Sequence, residues 1–265
     1  ELSYSSQGKC YRLHMDEFLT NKELFSMVEV MIGARAFSKE ELLTLTDKLK
    51  RFTTAEDRPK LNDLIRKELY HYSEVKHDCD SVMDTLWKLV NCISDKREVT
   101  IEYYRIDRVW RTHRIRPASL MFTDHYFYLI AFKTDDDPSK PFYFRVDRIK
   151  YITEHRKHFS TKEVGDFDEG LLRERSLFMW PGKLRKIRFE YSGTSVQAVL
   201  DKLPTAKIIE RSGGKYTLEA EVYGDGIKMW ILSQGSRIKV IAPLEFVREL
   251  KEEILTMSNF YDDIE

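Results

Sequence analysis

Cysteine is scarce. The chain has three in 265 residues, Cys10, Cys79 and Cys92, odd in number and widely spaced. That argues against a disulfide scaffold and for a reducing compartment. No apolar run approaches the ~20 residues that span a bilayer. No secretory signal is visible. The expected setting is therefore the cytoplasm, with no membrane partner. An excess of one charge is also missing, since 44 basic side chains balance 44 acidic ones. Catalytic signatures are absent too. There is no G-x-G-x-x-G, no H-E-x-x-H and no G-x-S-x-G. Gly213-Gly214-Lys215 lacks the spacing of a phosphate loop. His71, His77 and Cys79 lie close together but without a paired C-x-x-C. No cofactor, no metal and no enzyme activity are expected.

What is present is arginine in one place. Arg105, Arg108, Arg111, Arg114 and Arg116 fall within twelve residues, opposed only by Asp107. Residues 97–157 carry 13 basic and 9 acidic side chains, net +4, whereas the flanking stretches are each net −2. Three of those nine acids are the run Asp135-Asp136-Asp137, which reads as a loop tip before Pro138. A guanidinium is a planar fork of donors that fits phosphate or carboxylate. The placement predicts an anion-binding face in the middle of the chain.

Periodicity divides the chain. Residues 9–13 read as a short strand after the turn Ser5-Ser6-Gln7-Gly8. Residues 20–95 read as mostly helical. Thr20 with Glu23 and Ser38 with Glu41 are capping boxes. Leu24, Met27, Val28 and Met31 share a helical face, as do Leu42, Leu45 and Leu49. A third helix is predicted from about Pro59 to Tyr70. A fourth runs from Ser81 to about Ile93, with Asp80 as its N-cap. The apolar stripes of helices 21–33 and 38–51 are expected either to pack on a neighbouring barrel or to form a dimer interface.

From Val99 the period changes to two. Strands are predicted at 99–104, 109–116, 125–132 and 142–148, with Tyr151-Ile152 closing the set into a small antiparallel barrel. A mixed connector covers 158–182. Beyond it the order is strand 184–191, helix 195–202, hairpin 206–211 and 215–223 around Gly213-Gly214, helix 226–234 ended by Gly235, and strand 237–241. That β-α-β-β-α-β order is ferredoxin-like. A last helix, 244–260, carries Phe246, Leu250, Ile254 and Met257 on one face. The fold class is α+β.

Arginines interleave with Tyr103, Tyr104, Trp110, Tyr126 and Tyr128. This combination stacks bases and holds phosphates. A solvated β-surface is the plain alternative. On this basic-aromatic reading Arg116 and Tyr103 are candidate ligand contacts.

At this point the residues resemble a known family. Strand 99–104, Arg116-Pro117, Phe127-Tyr128-Leu129 and Phe144-Arg145-Val146-Asp147-Arg148-Ile149 look like the WYL domain, with its Trp-Tyr-Leu tripeptide and closing R-x-D-R-I stretch. Phe127 stands where the family has tryptophan. Residues such as Asp107 and His125 stand where it usually has glycine. Residues 185–260, with Trp230-Ile231-Leu232-Ser233-Gln234-Gly235 and Ile238-Lys239-Val240-Ile241-Ala242-Pro243, look like the C-terminal extension found with WYL domains. Residues 7–13 look like the end of a winged-helix wing.

The resemblance implies a bacterial transcriptional regulator. Its parts would be residues 1–14 as a wing remnant, 15–78 as a helical linker and dimerisation segment, and 79–157 as the WYL Sm-like β-barrel. The connector at 158–182 and the ferredoxin-like extension at 183–265 complete it. It implies Arg145, Arg148 and Tyr128 as ligand contacts. In a regular strand Arg145 and Arg148 would face opposite ways, so both serve one site only if the strand ends or bulges near Asp147. The alternative for one of them is an ion pair with Asp147.

The chain begins at Glu1 in strand-like sequence, and the DNA-reading head is expected upstream of it. The expected function is the ligand-sensing and dimerising part of such a regulator. Its partner would be a phosphate-rich effector, nucleotide or nucleic acid. Duplex DNA would be bound only through the missing N-terminal domain, and the chain is expected to be a homodimer. A single-stranded nucleic-acid binding module is the runner-up. An enzyme acting on a nucleotide is third, for want of a general base beyond His113 and Asp147.

Overall fold

The structure is a computed structural model that describes residues 2–5, 7–8, 10–13, 19–53, 57–105, 107–137, 140–164, 168–180 and 182–262. The chain divides into two units. The smaller comprises residues 1–82 with 124–126. The larger comprises 83–123 and 127–265.

In the smaller unit, β1 (Leu2–Ser5) and β2 (Cys10–Leu13) form an antiparallel hairpin. Three helices follow: α1 (Asn21–Ala34), α2 (Lys39–Leu49) and α3 (Arg58–Tyr70). Both predicted capping boxes are present, with the Thr20 and Ser38 hydroxyls accepting from the Glu23 and Glu41 amides. The apolar stripes of α1 and α2 do not await a barrel. Leu24, Val28 and Ile32 of α1 and Leu42 of α2 close on Leu61, Ile65 and Leu69 of α3 in one core. The spacing of those three α3 residues is itself a one-face stripe, so three helices supply three matching faces.

The larger unit begins one residue into α4 (Val82–Ser94), whose first helical residue follows Ser81 rather than Asp80. Then come β3 (Arg97–Tyr104), β4 (Trp110–Thr123), β5 (Tyr126–Lys133), β6 (Phe142–Arg145) and β7 (Ile149–His158). They form one antiparallel sheet in the order β6-β5-β4-β3-β7. The closed barrel expected from the sequence is not what the strand pairing gives, because β6 and β7 stand at opposite ends of the order. β4 also runs well past the predicted end at Arg116. Pro117 is accommodated because the register of β4 with β3 stops at Ile115↔Val99. Its missing N–H therefore falls where no β3 carbonyl awaits it.

The β4–β5 turn is built on Asp124 and His125, both at positive φ (46° and 76°). The position that usually takes glycine keeps its left-handed backbone here without glycine. The inner face of the sheet buries Val99, Ile101, Ile115, Leu129 and Ala131 with Leu89 and Cys92 of α4.

A 3₁₀ turn, Thr161–Val164, and α5 (Glu169–Arg175) lead to the second sheet. There β8 (Leu184–Tyr191), α6 (Val196–Lys202), β9 (Lys207–Ser212), β10 (Lys215–Tyr223), α7 (Gly226–Ser233), β11 (Ile238–Ala242) and α8 (Leu244–Asn259) follow in turn. The strand order is β11-β8-β10-β9, antiparallel throughout. Gly213 and Gly214 make the predicted hairpin turn at φ 54° and 76°. Gly235, at φ 60°, follows the end of α7. Ile187, Phe189, Leu218, Ile227 and Phe246 are wholly buried at the centre.

Phe189 is fully buried and meets the Trp230 ring edge-on at 6.2 Å. Phe189→Ala is expected to cost about 3–5 kcal/mol. Urea unfolding followed by circular dichroism measures it. A loss below about 1 kcal/mol would mean this core is not what holds the sheet.

Candidate ligand-binding site

The R-V-D-R-I stretch forms a corner rather than a strand. β6 ends at Arg145, and Val146–Arg148 form a 3₁₀ turn before β7. Val146 and Ile149 are core residues. The strand ends where two arginines on one site would require it to, but one of them is already engaged. The Arg145 Nε and Nη2 donate to Asp147 Oδ1 and Oδ2 at 3.0 and 2.6 Å. Asp147 is buried, and a buried carboxylate holding a guanidinium fork fixes that arginine in place. Arg148 is half-buried, and among the described residues no carboxylate lies within ion-pair range of it.

The other sequence candidates are packed. Tyr103 is buried, meets Phe144 edge-on at 5.1 Å and accepts a hydrogen bond from the Arg145 amide at 3.3 Å. Tyr128 lies directly across from Arg145 in the β5–β6 register. It packs with Tyr143 and Tyr223 around Met121, Ile130, Leu172 and Met179. Burial pushes the Tyr143 hydroxyl pKa up.

Arg116 belongs to a network around Glu98, a carboxylate only 1% exposed. Glu98 accepts from Lys157 Nζ at 2.8 Å, Arg114 Nη2 at 2.9 Å and Arg116 Nε at 3.3 Å. Arg116 also reaches Glu163 at 3.2 Å. Burial alone would raise the Glu98 pKa. The Lys157 hydrogen bond and the charges of Lys157, Arg114 and Arg116 outweigh it and hold the carboxyl below its ordinary value. Two of the five clustered arginines are thus consumed internally. Arg105 pairs with Asp107 at 3.5 Å.

A second basic group was not singled out from the sequence. The register Tyr103↔Arg111 and Ile101↔His113 puts Arg111 and His113 on the same face as the core residues of β3. Phe144 lies 5.4 Å from His113 and stacks with Phe142 at 6.4 Å. Over Phe142 sit Lys133 Nζ at 4.2 Å and Lys140 Nζ at 5.2 Å. Among the described residues, no carboxylate is within ion-pair range of Arg111, Lys133 or Lys140.

Burial lowers the His113 pKa. Lys133 lowers it further, with Arg105 and Arg111, against Asp135. The imidazole is therefore neutral in a positive local field. Three uncompensated cations, a neutral ring donor and an aromatic ladder can hold an anion attached to a planar group. The only sequence signal for it was the alternation of β3 and β4, since Lys133 and Lys140 flank what reads as a loop.

The opposite face of the same strands carries exposed rings. Tyr104 and Trp110 lie 4.8 Å apart, and Lys150 Nζ sits 5.4 Å above Trp110 and 5.2 Å above Tyr151. Among the described residues, no three metal-ligating side chains gather, and no helix is long and apolar enough to cross a membrane.

This sheet with its cornering arginine pair, followed by a second antiparallel sheet, defines a two-module chain. Residues 84–154 match the WYL domain and residues 184–258 match the WCX domain. The chain thus carries a WYL domain followed by a WCX domain.

Two solved structures are similar. Proteasome accessory factor B/C (PafBC) of Arthrobacter aurescens is 13% identical with a TM-score of 0.38, covering 92% of this chain and 36% of that one. A structure described as a CRISPR Cas-related protein is 14% identical with a TM-score of 0.45, covering 95% of this chain and 76% of that one. The chain thus spans about a third of the length of PafBC. No curated protein matches it.

The Glu98 network sets a pH dependence. Its carboxyl pKa is lower folded than unfolded, so its contribution is present above the ordinary value of about 4.3. That contribution is lost as pH falls through the folded value. Glu98→Gln is expected to lower stability at pH 7 and to flatten the acid limb of the stability curve below about pH 4.3. Denaturation midpoints across pH 2–7 read both effects. An unchanged acid limb would remove Glu98 as the buried hub.

Proposed function

We propose that this chain is the sensing and dimerising part of a cytoplasmic transcriptional regulator, without enzyme activity. It binds a phosphate-rich effector, a nucleotide or short nucleic acid, on the basic face of its WYL domain. In this reading the five-stranded sheet, whose end strands β6 and β7 do not pair with each other, is an open counterpart of the Sm-like fold of WYL domains. The β11-β8-β10-β9 sheet with its two intervening helices is ferredoxin-like. Duplex DNA contact is left to a winged helix-turn-helix of the kind that accompanies WYL domains.

The observation that carries the proposal is the uncompensated positive field around His113, with Arg111, Lys133 and Lys140 set against Phe142 and Phe144. Arg148 is a further contact. Arg145, held by Asp147, shapes the corner, and Arg116 serves the Glu98 network. The sensing role fits a coupling between effector site and DNA-binding part.

Losing charge-assisted contacts costs on the order of 1.5–3 kcal/mol each. Arg111→Ala with Lys133→Ala is therefore expected to weaken nucleotide and short-oligonucleotide binding by at least about a hundredfold while leaving a cooperative melt. A bound anion favours protonated His113, so affinity is expected to rise as pH falls from 8 to 6. His113→Ala removes that slope. Calorimetric titration reads affinity and proton uptake together. Unchanged affinity in the double variant reduces the cluster to ordinary surface.

A second reading rests on the exposed rings of Trp110 and Tyr151 with Lys150 between them. Single-stranded nucleic acid would stack there, with affinity growing with length and falling steeply with salt. A compact effector saturates without length dependence.

The homodimer now rests on other surfaces, because α1 and α2 spend their stripes on α3. Trp87 and Val90 on α4, and Phe260 and Tyr261 after α8, are exposed apolar groups that fit an interface. Light scattering at micromolar concentration is expected to give twice the chain mass. A monomer mass throughout a wide dilution series would end this part of the proposal.

A further inference from the structure

β6 is only four residues long and meets a different neighbour on each side. Phe142 and Phe144 turn to the inner face, where both join the core of Val99 and Leu129 and Lys133 and Lys140 sit over the Phe142 ring. Tyr143, between them, turns the other way, as alternation along a strand requires. Its cross-strand partner Ile130 turns with it. The basic face and the outer cluster therefore share one short edge strand.

What meets Tyr143 comes partly from outside the five-stranded sheet. Its cluster contains Leu172 of α5 and Met179 of the connector, and Tyr223 at the end of β10 packs on it too. The same connector is fastened to the second sheet. Leu177 is buried in the WCX core and Phe178 packs against that core. Ser176 forms a parallel bridge with Tyr223, and Arg175 Nη2 donates to Glu221 Oε2 at 2.7 Å. Gly226 leaves room for this path, since a Cβ there would strike the Leu177 carbonyl oxygen. Leu177 and Met179, two positions apart, are thus plugs in two different cores.

The turn between the plugs is strained. Phe178 and Met179 are consecutive non-glycine residues at φ 54° and 49°. Left-handed residues of this kind persist only where the surrounding packing over-determines them. With Met179 out of its cluster, nothing in that cluster holds the pair in this conformation.

We propose that β6 and residues 176–179 form a relay between the basic face and the WCX domain. In the docked arrangement Met179 backs Tyr143, and Tyr143 keeps Phe142 and Phe144 in position. In the relaxed arrangement Met179 withdraws, the backbone of 178–179 leaves the left-handed region, and β6 loosens. A ligand stacked on the inner face favours the docked arrangement, and the docked arrangement strengthens ligand binding by the same factor. That gain in affinity rests on the effector reading of the basic face; the mechanical link does not.

Hydrogen exchange of the full chain, read by mass spectrometry, tests the link without ligand. Met179→Ala empties a plug on the side of the sheet away from the basic face. It is expected to speed exchange at least about tenfold in both β6 and residues 172–180, with β7, at the far edge of the sheet, nearly unchanged. Tyr143→Ala should speed exchange in 172–180 from the other side. Met179→Leu, which keeps the volume, should restore native exchange in β6. Unchanged β6 in Met179→Ala would overturn the relay, and so would acceleration equal in β6 and β7, which is general destabilisation.

ATP and a five-residue oligothymidylate are the ligand probes. Either one, once bound, should slow exchange in 172–180, and Met179→Ala should weaken its binding about tenfold. A probe that binds Met179→Ala at full strength, or leaves 172–180 unchanged, would also overturn the relay. If neither probe binds while Met179→Ala still loosens β6, the effector reading fails and the relay stands as a link between the two domains.

Discussion

A single buried carboxylate organises the middle of the larger unit. Glu98, on β3, is reached by Arg114 and Arg116 from β4 and by Lys157 from β7, so one charge ties together the three adjacent strands β4-β3-β7. A charge this buried is tolerable only when several donors compensate it. The compensation binds the partners as much as the acid. Arg116 carries the network on to Glu163 in the 3₁₀ turn that follows the sheet. The strands cannot slide in register without stranding either Glu98 or its cations. The register in turn sets which side chains share the inner face with Tyr103 and Phe144.

The same economy decides where a ligand can be held. Charge that is paired internally serves the fold, and charge left uncompensated serves a partner. Arg145 is closed off by Asp147, and Arg114 and Arg116 by Glu98. Arg111, Lys133 and Lys140 lack such partners among the described residues, and the His113 pKa, lowered first by burial, is lowered further by Lys133, Arg105 and Arg111. The basic face is therefore a remainder of the acid placement rather than a property of the arginine cluster as a whole.

Local chemistry carried much of the fold into view. Thr20 with Glu23 and Ser38 with Glu41 cap α1 and α2 as their spacing predicts. Gly213-Gly214 turns the β9–β10 hairpin, and Gly235 follows α7. Each needs only residues within a few positions of one another. The expectations that moved involve distant partners. β4 runs through Pro117 because β3 has stopped pairing there. The stripes of α1 and α2 are spent on α3, whose own stripe is weak in sequence beside Lys60, Asn62 and Asp63.

By itself the sequence determined the succession of helices and strands and the concentration of arginine between residues 105 and 116, whereas the strand it predicts through 142–148 ends at Arg145 in a 3₁₀ corner. The succession and the concentration follow from periodicity, capping and composition, which are local and additive. Only the tertiary structure decided which cations are paired. An ion pair depends on strand register and on burial, and residues such as Glu98 and Lys157 are brought together across 59 positions. Arg111 and Lys133, by contrast, sit on one sheet with no ion-pair partner among the described residues. No reading of Arg114 and Arg116 beside Arg111 could separate the structural arginines from the available one. The carboxylates that distinguish them lie on β3 and beyond β7, and folding alone sets their distance.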